Sequence, residues 1–274
     1  PLHFIMNTLF HLMLTYWWAT LILFFFLIIN VFGVVHIGEQ QVGLVIKRFA
    51  MRSLPPGEII ALNGEAGFQA DTLPPGLHFG YWKWQYCVQR MPMVVVPQGE
   101  LALVVARTGS AIPPQRILGR VVNCDHFQDA RAFLKNGGEK GRQLGVLTAG
   151  SYRINPSLFQ VLVTRNCHEH GISPASLRLL NIEPDKVGMV TTLDGACIEQ
   201  GEIAGPIVPG HNNFQDAQSF LSAGGRRGLQ EQILLSGQWN LNPWFAHVEQ
   251  VDMVEIPIGH VGVVISYVGH LHED

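Results

Sequence analysis

The sequence is short of charge, and the shortage is concentrated at one end. Only 14% of its 274 residues are Asp, Glu, Lys or Arg, and none of these precedes Glu39. Cysteine is scarce as well. Cys87, Cys124, Cys167 and Cys197 are scattered without a CxxC pair, so neither a zinc site nor a disulfide framework is indicated. A net charge of −3 and the lack of a basic-aromatic patch exclude a strongly basic nucleic-acid binder. The chain has no Gly-x-Ser-x-Gly elbow, no His-Glu-x-x-His, no dinucleotide fingerprint and no Cys/His arrangement with nucleophile spacing. These absences point away from an enzyme: no catalytic, cofactor-binding or metal-ligating residue is expected.

What fills the uncharged end is apolar. From Tyr16 to Val35 only Thr20, Asn30 and Gly33 interrupt apolar and aromatic side chains. A helix of that length rises about 30 Å, the thickness of a bilayer's hydrocarbon. Tyr16, Trp17 and Trp18 suit an interfacial aromatic belt, with Phe24, Phe25 and Phe26 inside the span. A secretory signal would need a basic flank and a small-residue cleavage site, and neither is present. A single transmembrane helix over about 16–35 is therefore expected, with residues 1–15 as an apolar lead-in. Lys47, Arg48 and Arg52 follow the span within about 20 residues, which by the positive-inside rule turns the rest of the chain to the cytoplasm.

The remainder repeats itself. At an ungapped offset of 87 residues, Phe127-Gln128-Asp129-Ala130 falls on Phe214-Gln215-Asp216-Ala217, Gly137-Gly138 on Gly224-Gly225, Gln143 on Gln230, Gly150 on Gly237, and Asn155-Pro156 on Asn242-Pro243. That is a tandem duplication. Each unit opens with a short β-rich stretch, starting at Val42, Leu101, Val187 and again at Val261, in which a Gly or Ala lets another backbone pack close. Each closes with Leu-x-x-Gly, at Gly76, Gly150 and Gly237, where glycine suits a tight turn at positive φ before the next strand. Tyr152/Ile154 and Trp239/Leu241 then share one strand face, and Asn-Pro stops the strand.

Between these elements the segment from Asp125 to Gly138 reads as a helix of two to three turns. Asp125 caps it, Phe127, Ala130 and Leu134 share a face, and Gly137 supplies the left-handed stop. The equivalent helix begins at Asn212 or Asn213. The fold class expected is α+β: an amino-terminal transmembrane helix, then tandem β-rich modules with short helices. The boundaries are 1–36 for the anchor, 37–97, 98–183 and 184–257 for three modules, and 258–274 for the first strand of a fourth, cut short. Two histidine clusters, His168/His170 and His270/His272, lack a third ligand and a counterpart in the sister module, and the glycine-rich 136–143 lacks a phosphate-loop ending. They are read as polar loops and a helix stop.

The apolar segment, Val42-Gly43-Leu44-Val45 directly after it, and Pro75-Gly76-Leu77-His78-Phe79 together resemble the SPFH superfamily, the stomatin, prohibitin, flotillin and HflK/C group also called band 7. The stretch 127–155 is similar to large bacterial flotillin-like proteins of the inner membrane. The resemblance implies a single-pass scaffold that assembles into a homo-oligomeric ring or cage, organises a membrane microdomain and modulates client membrane proteins. It brings no catalytic residues and no cofactor. Its partners would be the lipid bilayer, copies of itself and clients, with no nucleic acid. Two other readings stay open: an accessory subunit docking a foreign partner in a larger membrane complex, and a membrane-anchored metal protein or hydrolase using one of the histidine clusters.

Overall fold

A computed structural model describes residue 11 and residues 15–265, without the side chains of 28–32. Its architecture is α+β and strand-rich. The described residues divide into two compact units, one ending at Met93 and the other starting at Val94.

The first unit opens with helix α1 (Trp17–Phe32), whose 16 residues rise about 24 Å. No described helix is long and apolar enough to cross a membrane. The span expected over 16–35 is thus shortened at its carboxyl end, for two reasons. Gly33 takes the left-handed conformation (φ 59°), and Val35 is drawn into a strand. That strand, β1 (Val35–Ile37), is followed by β2 (Gln41–Lys47), β3 (Ile60–Ala61), β4 (Gly67–Leu73), β5 (Gly76–His78) and β6 (Tyr86–Pro92). The sheet order is β3-β4-β2-β6, and β1 forms a separate antiparallel ribbon with β5.

The second unit holds two copies of the same plan. In module two, β7 (Val94–Val96), β8 (Ala102–Ala106), helix α2 (Ala130–Lys135), β9 (Gly141–Leu147), β10 (Gly150–Tyr152) and β11 (Phe159–Leu162) give a sheet β11-β8-β9 and a ribbon β7-β10. In module three, β12 (Leu180–Ile182), β13 (Lys186–Thr192), β14 (Ala196–Cys197), helix α3 (Ala217–Ser222), β15 (Arg226–Leu229), β16 (Gly237–Trp239) and β17 (Ala246–Asp252) give a sheet β14-β15-β13-β17 and a ribbon β12-β16. The three ribbons share one register: Ile37 pairs Gly76, Val96 pairs Gly150, and Ile182 pairs Gly237. Residues 35–37, 94–96 and 180–182 therefore belong to the modules they open, a few residues ahead of the boundaries read from the sequence.

The recurring phrase has a physical reason. Gly76 and Gly237 start their strands at φ 129° and 147°, which side chains rarely tolerate, while Gly150 at φ 159° lies at the edge of ordinary extended backbone. Two residues on, the ring always carries a donor: His78 Nε2 lies 2.7 Å from Pro74 O, Tyr152 Oη donates to Thr148 O at 2.9 Å, and Trp239 Nε1 to Leu235 O at 3.1 Å. Each ring locks its own turn by reaching four residues back. The acceptor being a carbonyl, His78 carries its proton on Nε2. Gly-x-Gln is a second lock. Gln69, Gln143 and Gln230 each donate from Nε2 to the carbonyls two and four residues before them, at 2.7–3.0 Å.

The small residue of the long strand is a site of close approach. A Cβ on Gly43 would lie 2.9 Å from Ile37 Cδ1, and one on Gly188 2.7 Å from Ile182 Cδ1. Module two has the complementary size trade, with the shorter Val96 matched to Ala102, both buried. Cores follow the repeat as well. Phe127, Phe133 and Phe159 form one aromatic cluster, and Phe214, Phe220 and Phe245 the other.

The short helices start later than expected. Their caps are Asp129, accepting from Ala132 N, and Asp216, accepting from Ser219 N. Asp125, His126 and Phe127 are instead a left-handed run (φ 48°, 51°, 64°), repeated at Asn212, Asn213 and Phe214 (φ 46°, 52°, 63°). Phe133, not Leu134, is the fully buried member of the helix face. The strand expected from Val261 is absent among the described residues, because 261–265 find no partner.

Replacing Gly237 with Val forces a β-branched residue into a turn only glycine occupies freely. The expected loss is about 1–3 kcal/mol in urea unfolding. An unchanged transition midpoint would show that the turn does not need glycine.

Candidate functional site

The described residues offer little chemistry of the catalytic kind. No group of three or more His, Cys, Asp or Glu among them could hold a metal. Cys167 to His170 form a short 3-10 helix, not a strand, so His168 and His170 do not share a face, and His170 Nε2 lies 2.8 Å from Gln160 Nε2. His270 and His272 lie outside the described residues. Burial pushes the Cys124 thiol above its ordinary range, and the carboxylates of Asp129 and Asp125 add to this against a lowering contact from the Phe127 backbone. A thiol held protonated is a poor nucleophile.

Two grooves accompany the left-handed runs. One of about 530 Å³ is lined by Val121, Cys124, His126 and Val146, the other of about 420 Å³ by Ile207, Asn213, Ile233 and Trp239. Their occurrence at equivalent positions makes them a property of the module, not a unique pocket.

The distinctive feature is a corner of each module, formed where the long strand ends and where the closing turn ends. In module three it docks on module two. Asp194, fully buried, accepts from the N–H of Ile117 (3.0 Å) and Leu118 (3.1 Å) while also holding its own loop through Gly195 N (2.9 Å). Asn242 donates from Nδ2 to the carbonyls of Gln143 (3.2 Å) and Leu144 (2.8 Å), and its Oδ1 accepts from Trp244 N. Gln218 Oε1 accepts from Val121 N at 3.1 Å, and the Arg142 guanidinium lies 5.1 Å from the Trp244 ring. Leu118 and Leu144 pass their side chains into module three's core, beside Phe214, Phe220 and Phe245. Beyond stopping a strand, the Asn-Pro phrase therefore carries the side chain that joins two modules.

Module one builds the same corner from different residues. The bonds Arg48 N to Gln85 O and Leu193 N to Phe245 O occupy the same place, as do Tyr86 N to Trp82 O and Ala246 N to Asn242 O. Phe49 thus stands where Asp194 stands and Trp82 replaces Asn242, while Trp84 and Trp244 are the same residue at equivalent positions. Phe49 and Trp84 are each 63% exposed, and the rings of Trp82 and Trp84 stack at 6.1 Å with planes 8° apart. Leu77, Phe79 and Met51 are exposed nearby in the sequence. This apolar corner is tied to helix α1: Gly33 O accepts from Tyr81 N at 3.0 Å, and a Cβ on Gly33 would lie 2.5 Å from Trp82 N.

The residues expected to anchor the chain, Tyr16, Trp17, Trp18, Phe24, Phe25 and Phe26, are all at least half exposed on or beside α1, as is every described side chain from Leu21 to Leu27. The structural glycines Gly76, Gly150 and Gly237 lie in the ribbons and not at the corners. Sequence reasoning missed Asp194, Phe49 and the paired tryptophans. Laying the Asn-Pro phrase onto module one with a one-residue insertion would have put Trp82 on Asn242. No family model, no curated protein and no solved structure matches the chain.

Asp194→Ala leaves two backbone donors of module two buried without an acceptor, and Asn242→Ala strips a donor from two carbonyls. Each should cost about 1–3 kcal/mol in urea unfolding. A loss under a few tenths for both would mean that the modules are joined by apolar packing alone.

Proposed function

We propose that the protein is a membrane-anchored scaffold of the SPFH type, closest to bacterial flotillin-like proteins. In this reading it self-associates into a ring or cage, organises a membrane microdomain and modulates associated membrane proteins. The observation that carries it is the exchange at module one's corner, where Phe49 and Trp82 replace the polar side chains that module three uses for docking and Trp82 stacks on the exposed Trp84. A corner built for another module needs a carboxylate and a carboxamide. A corner built for a bilayer surface needs exposed aromatic rings, because their flat amphipathic faces settle at headgroup level. Helix α1, uncharged and with every described side chain from Leu21 to Leu27 exposed, enters the bilayer from the same corner through Gly33.

The 24 Å rise of α1 is less than a hydrocarbon core, so the aromatic corner has a mechanical part to play. Trp82 and Trp84 hold the carboxyl end of the helix at the interface, with Lys83 between them towards the headgroups. The modules then serve as repeated units without catalytic chemistry of their own, and assembly of copies generates the ring. The soluble part faces the cytoplasm of a bacterial inner membrane, following the charge pattern after the helix.

Reconstitution tests this directly. In protein whose Trp17 and Trp18 are changed to Phe, lipids brominated near the headgroups should still quench part of the tryptophan emission, and adding Trp82→Phe with Trp84→Phe should remove that part while Trp239→Phe leaves it. In mild detergent the same protein should run as a large homo-oligomer. Aqueous iodide reaching the Trp82/Trp84 emission in membrane-bound protein, or a monodisperse monomer, would count against the reading. Stoichiometric foreign subunits without self-association would turn it to an accessory subunit.

A further inference from the structure

Module three has an uncovered end that reproduces, bond for bond, the end of module two on which module three itself is docked. In module two, Gly119 N donates to Arg142 O (2.8 Å) and Leu144 N to Gly119 O (3.0 Å); in module three, Gly205 N donates to Leu229 O (2.8 Å) and Glu231 N to Gly205 O (3.1 Å). The bridges Gly119–Gln143 and Gly205–Gln230 are likewise both parallel. Ile203, Ala204 and Ile207 therefore correspond to Ile117, Leu118 and Val121, whose N–H groups Asp194 and Gln218 take. The carbonyls of Gln230 and Glu231 correspond to those that Asn242 caps. Ile203 and Ile207 are 60% and 61% exposed, and Leu229 is exposed beside them.

A second observation lies just beyond, in residues 254–264. His260 N donates to Pro257 O at 3.0 Å, which is the turn made by Gln41 N to Gly38 O (3.1 Å), Glu100 N to Pro97 O (3.3 Å) and Lys186 N to Glu183 O (3.1 Å) between each ribbon strand and its long strand. A Cβ on Gly262 would lie 2.7 Å from Ile256 Cδ1, the approach seen for Ile37 over Gly43 and Ile182 over Gly188. The segment has the turn and the packing of a module's opening, yet Val254, Ile258, Val261, Val263 and Val264 are almost fully exposed. A second copy of the chain has no spare strand to cover it, since all three closing strands, β5, β10 and β16, are already paired.

We propose that the end of module three is a docking face for a further module of this build, opened by residues 254–264. That module presents a carboxylate to the N–H groups of Ile203 and Ala204 and a carboxamide to the carbonyls of Gln230 and Glu231. Its closing strand pairs with Val254–Ile256. Its core differs from module three's in one respect. Glu231 stands where the buried Leu144 stands, so the incoming module brings a basic or polar group opposite it. The proposal is independent of the membrane reading, because it concerns only the joint between modules.

The test appends the sequence of residues 189–253 after Gly262 of the 274-residue chain, with Glu231→Leu to suit the appended core. Amide hydrogen exchange at Ile203, Ala204, Ile207, Val261 and Gly262 should slow by about tenfold or more. Changing the appended copy's counterpart of Asp194 to Ala should restore fast exchange at Ile203 and Ala204 while Val261 and Gly262 stay protected. Amides that remain fast, whether or not the appended module folds, overturn the proposal. In the unextended chain, Ile203→Asp and Ile207→Asp should leave Tm unchanged. A marked fall, or self-association that Ile207→Asp abolishes, would show the face already covered or reserved for a second copy, and would overturn it equally.

Discussion

Each module depends on one small ribbon. Three residues ahead of the long strand pair with three that begin at the closing glycine, and the last of the first set always meets that glycine. The pairing sets Ile37 and Ile182 over Gly43 and Gly188 of the long strand, where an added Cβ would lie within 2.9 Å of the isoleucine, and module two has buried Val96 and Ala102 at the equivalent positions. Such a ribbon alone would be marginal. It is held because its ring donor bonds the turn from within and a buried glutamine bonds the neighbouring strand's bend. Repetition of the phrase in the sequence is repetition of these locks.

With the module fixed, variation collects at its corners. Asp194 and Asn242 satisfy backbone groups of a neighbouring module, an interaction worth having only if the neighbour is present, because each would otherwise bury a polar group without a partner. Phe49, Trp82 and Trp84 present rings instead, beside a helix that carries no charge. One fold thus builds two kinds of corner by exchanging two side chains, Phe49 for Asp194 and Trp82 for Asn242. The scaffold proposed above would draw on such parts, like units with directional joints.

Much of the fold was legible in the sequence because repetition marks it. The long strands from Val42, Leu101 and Val187 and the closing glycines could be read from spacing, and so could the α+β class. The helix starts could not. Asp125 and Asn212 look like caps, but three successive left-handed residues follow them, a conformation that spacing does not signal. The anchor's end was misread because apolar Val35 serves equally in a helix or a ribbon, and its pairing with His78 decides. The corner was the least legible element. Asp194 reads as one half of an Asp-Gly turn, which it is, while its second role depends on a module 76 residues earlier in the chain.

The central claim is the proposal that these modules form a membrane-bound scaffold that works by assembling with copies of itself. Electron microscopy of the intact protein in a lipid bilayer tests it most directly. The account predicts closed rings or cages of identical subunits with their apolar helices gathered at the membrane rim. A field of separate, single-copy particles with no common symmetry would contradict it.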